Sequence, residues 1–137
     1  MENANANTHG ESRQRSLEQQ RAKHAWEKVS QFKRQQPGKQ KEMRSLASSA
    51  PASIQSNGLG QTLAFWRAKN EVHHQELYKA LSDWLKTQIK QIGNGDALDW
   101  IIKNASSQEY RYATAEAMAY LNWYKRFAEA ELEESKS

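Results

Sequence analysis

The chain contains no cysteine, which rules out disulfides, a thiolate nucleophile and a thiolate metal site. It has no run approaching the roughly 18–20 apolar residues that cross a bilayer, and its first residues lack the apolar stretch of a secretory signal. A soluble, cytoplasmic protein is therefore expected. No stretch alternates apolar and polar residues with β-branched enrichment, so no strand is predicted. Phosphate-cradling and nucleophile-elbow motifs are missing too: there is no GxxxxGK[ST], no Gly-x-Ser-x-Gly, and Gly58-Leu59-Gly60 is too short for a dinucleotide fingerprint. The acidic residues are scattered or gathered near the end (Glu129, Glu131, Glu133, Glu134), with no carboxylate pair set apart for acid–base work. These absences exclude the common enzyme classes. Neither catalytic residues nor a cofactor is expected.

What remains is a polar, basic chain of 137 residues, 37% hydrophobic and 26% charged, with a net charge of +4. That length suits one domain. Residues 1–16 hold no large apolar side chain except Met1 and read as a disordered arm, leaving 17–137 as a single helical domain. The charge is uneven: residues 1–45 carry ten Lys/Arg against five acids, whereas 106–137 carry four against six. A basic N-terminal region suits a polyanion, although a solvated helix face gives the same composition.

The apolar residues recur at helical spacing. Leu17 to Gln36 reads as a first helix with Ala22, Ala25, Trp26, Val29 and Phe32 on one side, stopped by Pro37-Gly38. Gln40 to Ala50 follows, with Met43, Leu46 and Ala47 inward and Lys39, Lys41 and Arg44 around its start. Pro51 suits the first position of another helix. Asn57-Gly58 can take the positive φ that ends a helix or makes a tight turn, and Leu59, Leu63 and Trp66 begin a new apolar face. Val72 to Ile92 carries the clearest stripe, from Leu77 through Leu81, Trp84 and Leu85 to Ile89 and Ile92. Asp96 is a good N-cap for a short helix with Leu98, Ile101 and Ile102 inward. Ser106 and Glu109 match a capping box for a last helix from about Ser107 to Glu133, apolar on most sides. The fold class is all-α: a compact bundle of about six helices behind a disordered N-terminal arm.

Two groups invite a chemical reading. Glu71, His73 and His74 could suggest a metal, but adjacent helix positions diverge by about 100°, so capping or solvent is the better account and no metal site is expected. Five Trp and five Tyr are many for this length. Most fall on core stripes; Trp66, Trp100 and Trp123 have helical phases that leave an interface role open.

Two segments are to be read together. The first is Ile54-Gln55-Ser56-Asn57-Gly58-Leu59-Gly60-Gln61 with Ala64-Phe65 and Lys69. The second is Tyr110-Arg111, Thr114, Glu116-Ala117, Leu121-Asn122-Trp123 and Lys125-Arg126-Phe127-Ala128. As an ordered pair in a chain of this size they resemble the small (fifth) subunit of the Cmr complex, the type III-B CRISPR effector, over about residues 17–132. The resemblance implies an all-helical, non-catalytic subunit. Copies of it would stack into a short filament beside the backbone subunits, within a complex that also holds the large subunit, guide RNA and target RNA. Ala50-Pro51-Ala52 and Trp66 depart from the bulkier and the smaller residues expected at those places.

Because base pairing with the guide would read sequence, this subunit's part would be sequence-blind contact with phosphates. The residues expected at RNA are Arg21, Lys23, Lys28, Arg67, Lys69, Lys103, Arg111, Lys125 and Arg126, with Lys39, Lys41 and Arg44 in reserve. Subunit contacts are expected at Met43, Trp66 and Trp123, and a structural turn at Asn57 and Gly58. A stand-alone helical nucleic-acid-binding protein and a protein-only helical adaptor remain as alternatives. No membrane and no small-molecule substrate are expected among the partners.

Overall fold

Helix boundaries in this chain follow a few backbone-breaking residues. A computed structural model describes the backbone of residues 6–135 and the side chains of residues 16–135. It contains α1 (Ala6–Gln35), α2 (Gln40–Asn57), α3 (Leu59–Ala68), α4 (Val72–Gln88), α5 (Ala97–Lys103) and α6 (Ser107–Glu131), and no strand among the described residues. Of the expected arm, residues 1–5 lie outside the described residues, while the backbone of 6–16 belongs to α1.

Pro37 starts a 3-10 turn, Pro37–Lys39, between α1 and α2, where a missing N–H goes unnoticed. Pro51, by contrast, starts nothing. It lies inside α2, which corrects the expected break at Ala50. A proline there forfeits a backbone bond and crowds the preceding turn. Burial outweighs that loss: Met43, Ala47, Ala50, Pro51 and Ile54 form one inward face that runs straight through the proline. Further along, α4 stops at Gln88 rather than at the expected Ile92. Ile89 turns extended and Lys90–Ile92 form a second 3-10 turn, yet Ile89 and Ile92 stay buried. The two predicted caps are present. Asp96 accepts from the Asp99 N–H, and Ser106 and Glu109 complete a capping box.

The joint between α2 and α3 rests on Gly58 alone. Asn57 keeps helical geometry, whereas Gly58 has φ 88° and ψ 156°, a region essentially closed to other residues. Its N–H donates to the Ile54 carbonyl at 2.8 Å, and its carbonyl accepts from the Thr62 N–H at 3.1 Å. One residue thus closes one helix and opens the next. From α6 the Tyr110 hydroxyl accepts the otherwise unpaired N–H of Gly60 at 3.1 Å. A Cβ on Gly58 would come within 3.2 Å of that same hydroxyl.

The core gathers around α6, against which α1, α2 and α4 all pack. Ala113, Ala117 and Ala128 let neighbours come close, while Tyr120, Leu121 and Tyr124 fill the space between. Two expected core positions turn outward: Trp26 is 43% exposed and Ile102 68%. Trp26 lies a single residue, about 100°, from the buried Ala25, and Ile102 the same step from the half-buried Ile101. In α5 the inward side belongs to Ala97, Leu98 and Trp100.

A charged pair lies within this apolar setting. Glu116 of α6, 4% exposed, takes a two-pronged contact from Arg21 of α1 (Nε at 2.6 Å, Nη2 at 2.9 Å) and a third bond from the Trp84 indole of α4 at 2.9 Å. Burial alone would raise the carboxyl's pKa, but the bonds from Arg21 and Trp84 outweigh it and hold the group below its ordinary value. Next to it Trp84 stacks on Tyr120, with centroids 5.6 Å apart, and the Tyr120 hydroxyl lies 2.7 Å from His24 Nδ1. Burial lowers the His24 pKa and raises that of Tyr120, so the phenol donates and the imidazole accepts.

Both joints can be tested by unfolding. Truncating Arg21 to Ala should cost about 3 kcal/mol or more in urea unfolding, because it leaves the buried Glu116 carboxylate without its charge partner; Glu116→Ala should cost less, since Arg21 keeps Glu18 at 2.7 Å. The double variant Arg21→Met/Glu116→Leu should cost clearly less than the sum; additive losses would refute the pairing. Gly58→Ala should destabilise by more than about 1 kcal/mol. Tyr110→Phe, which removes the facing oxygen, should relieve part of that loss in the double variant, and equal losses in both backgrounds would show that no steric coupling exists.

Candidate functional site

Helical phase decides which cations of α6 are available to a partner. Arg111, Ala115, Asn122 and Arg126 all project from the outer side of α6 and all are exposed, with Arg111 and Arg126 about 22 Å apart along the axis. Neither arginine makes an ion pair among the described residues. Tyr112 lies beside Arg111, 51% exposed. Lys125 is half-buried next to Arg126. The result is a positively charged helix face from Arg111 to Arg126; Glu129, one turn further on, shares its phase and accepts from the Ser48 hydroxyl of α2 at 2.9 Å.

Beside that face is a surface cluster of aromatic rings. Trp123 stacks on Phe127 with centroids 5.6 Å apart, and Trp26 of α1 meets Phe127 edge-on at 5.2 Å. Trp123 and Phe127 are half-buried and Trp26 is exposed. Lys23 is exposed one turn before Trp26. Of the expected subunit contacts, Trp123 therefore sits at the surface. Met43 and Trp66 do not: at 0% and 2% exposure they belong to the chain's own core. Both have the bulk of an interface anchor, but their helical phase turns them inward.

The remaining expected RNA contacts fall into two groups. Lys69 and Lys103 are exposed, and the Lys69 ammonium sits 5.0 Å from the Phe65 ring centroid. Arg21, Lys28 and Arg67 each form an ion pair with another element. Arg21 is committed to Glu116, and Lys28 reaches Asp83 of α4 at 3.6 Å. Arg67 meets Asp99 at 3.3 Å and Asp96 at 3.4 Å, with its guanidinium 5.7 Å from the Tyr78 ring centroid. The bond from Asp99 leads the causes that raise the Arg67 pKa. Tyr78 in turn donates to Asp96, at 2.7 Å to its nearer oxygen, and burial with that bond pushes the phenol's pKa up. Among the reserves, Lys39 pairs with Glu42 at 3.9 Å and Arg44 with Glu134 at 3.6 Å, while Lys41 is exposed.

Two features of the surface escape the sequence reading. Tyr112 does not stand apart from the core tyrosines there, although its place one residue after Arg111, off the Ala113–Ala117 seam, is a usable signal. His73 and His74, expected at a cap or in solvent, are buried at 6% and 9% exposure and line a groove together with Glu42 of α2 and Glu133. Nothing in the local sequence foretells that groove, whose opposite wall lies far away in the chain.

Comparison with known proteins bears on this geometry. Residues 17–131 match the family described as CRISPR-associated protein (Cas_Cmr5). The chain is similar to the CRISPR system Cmr subunit Cmr5 of Thermus thermophilus, 32% identical over 93 residues that span 68% of this chain and 77% of that protein. It is also similar to the crystal structure of a CRISPR-associated Cmr5 family protein from the same species. There the TM-score is 0.66 at 30% identity, covering 85% of this chain and 97% of that one. The match includes both the glycine joint and the outer face of α6, and the chain belongs to the Cmr5 family of CRISPR-associated proteins.

Proposed function

We propose that this chain is a non-catalytic structural subunit of a type III-B CRISPR effector in the cytoplasm. In this reading it stacks with copies of itself beside the backbone and large subunits, and it helps to hold target RNA against guide RNA in antiviral defence. The observation that carries the RNA part is the outer face of α6, where Arg111 and Arg126 are exposed and have no carboxylate partner among the described residues. Unpaired cations on a rigid helix suit phosphates, whose spacing does not depend on base identity. Lys125 lies beside Arg126 in sequence, and Lys23, Lys69 and Lys103 are further exposed cations included in the proposed set. Arg21, Lys28 and Arg67 drop out of the proposed set, since a partner would have to displace Glu116, Asp83 or Asp96 and Asp99.

The subunit contact is proposed for the Trp26–Phe127–Trp123 cluster, where aromatic surface is partly exposed on two adjoining helices. Such rings serve as anchors once a partner excludes water from them.

The test is charge reversal within the assembled complex. Arg111→Glu, Lys125→Glu and Arg126→Glu together should lower single-stranded target-RNA retention roughly tenfold and reduce the salt slope of binding by about two, near 0.7 per lost phosphate contact. Far-UV circular dichroism should not change. Retention equal to that of the natural sequence would remove these residues from the RNA surface. Tight binding of the isolated chain to one duplex sequence would favour a stand-alone nucleic-acid-binding protein, and no RNA binding in either setting would favour a protein-only adaptor.

A further inference from the structure

Glu71, His73 and His74 open α4, and their chemistry has no part in the RNA reading. Glu71 precedes the helix in extended conformation, and its side chain makes no capping bond. His73 and His74 are buried, at 6% and 9% exposure, and the Nδ1 of each has no hydrogen-bond partner. Two such orphans side by side are unusual, because buried polar atoms are nearly always paired.

The three groups converge. The imidazole centroids are 4.5 Å apart, so side-chain rotation has undone the divergence expected of adjacent helix positions. His74 Nδ1 lies 3.6 Å from Glu71 Oε1. That is too long for a hydrogen bond, yet it fits two ligands that each stand about 2.1 Å from one tetrahedral ion. One ligand atom from each residue falls within 4.8 Å of the others. The widest edge needs to close by up to about 1.4 Å to reach a tetrahedral ligand separation near 3.4 Å. Both histidines line the groove of about 740 Å³ that also touches Glu42 and Glu133, which gives an ion a way in.

We propose that Glu71, His73 and His74 bind one divalent transition-metal ion of the zinc, cobalt or nickel class, with water from the groove completing its shell. Two imidazoles and a carboxylate, without thiolate, suit these ions; calcium and magnesium take oxygen ligands instead. The positive end of α4 disfavours a cation, and the Glu71 carboxylate offsets that field. A bound ion would tie the connection between α3 and α4 to the first turn of α4.

The test uses the full chain, stripped with chelator and titrated with cobalt(II) chloride and then with zinc(II) chloride. The expected result is one ion per chain, the visible absorption of four-coordinate cobalt, and displacement of cobalt by zinc. Glu71→Gln, at an exposed position that leaves the fold intact, should weaken binding about tenfold or more, and His73→Gln/His74→Gln should abolish it. His24→Gln, which alters an imidazole elsewhere, should leave the stoichiometry unchanged. The proposal is overturned if cobalt gives no saturable four-coordinate spectrum, or if the Glu71 and double-histidine variants bind as the natural sequence does while circular dichroism shows all of them folded.

Discussion

A single carboxylate sets how the helices of this bundle are turned toward one another. Apolar stripes drive helices together but tolerate rotation and slippage, since one aliphatic contact replaces another at little cost. The Glu116 site does not tolerate it. Arg21 must arrive from α1 with both prongs of its guanidinium and Trp84 from α4 with its indole N–H, or a charge is left buried without partners. Satisfying all three bonds fixes the rotation of α1 and α4 about α6. It also fixes which side of α6 is left over, and that side carries Arg111 and Arg126. The outer face is in this sense a consequence of the inner pair.

The second constraint joins the two segments by which the chain resembles its family. Gly58 lies in the first and Tyr110 in the second, and they meet: the hydroxyl holds the Gly60 N–H and stands where a side chain at 58 would begin. Residues about 50 positions apart are thus tied to one turn. A side chain at 58 would be strained in this backbone conformation and would crowd the Tyr110 hydroxyl. The pairing of the segments in the sequence therefore has a mechanical cause, and it concerns shape rather than ligand.

Much of this architecture is legible in the residues. Spacing marks the helices, Asp96 and Ser106 with Glu109 mark two of the starts, and Gly58 marks the turn. Pro51 misleads because propensity is local, while the burial that carries α2 through it comes from α6 and α4. Met43 and Trp66 mislead for a related reason, since bulk on a stripe does not say whether the facing surface belongs to the same chain. The cations show the limit most clearly. Arg21 and Arg111 look alike in sequence, each an arginine on an amphipathic helix. Glu116 separates them by claiming Arg21 from 95 positions away, and no window of local sequence contains that partner.

The same reasoning explains why the connection between α3 and α4 is the place where scaffold and surface meet. Lys69 belongs to the surface cations, resting over Phe65 with its charge in solvent. Burial leads the causes that lower the His74 pKa, and the Lys69 charge adds to them. Phe65 meets His74 edge-on at 6.1 Å, so the ring that supports the lysine also packs beside the buried imidazole.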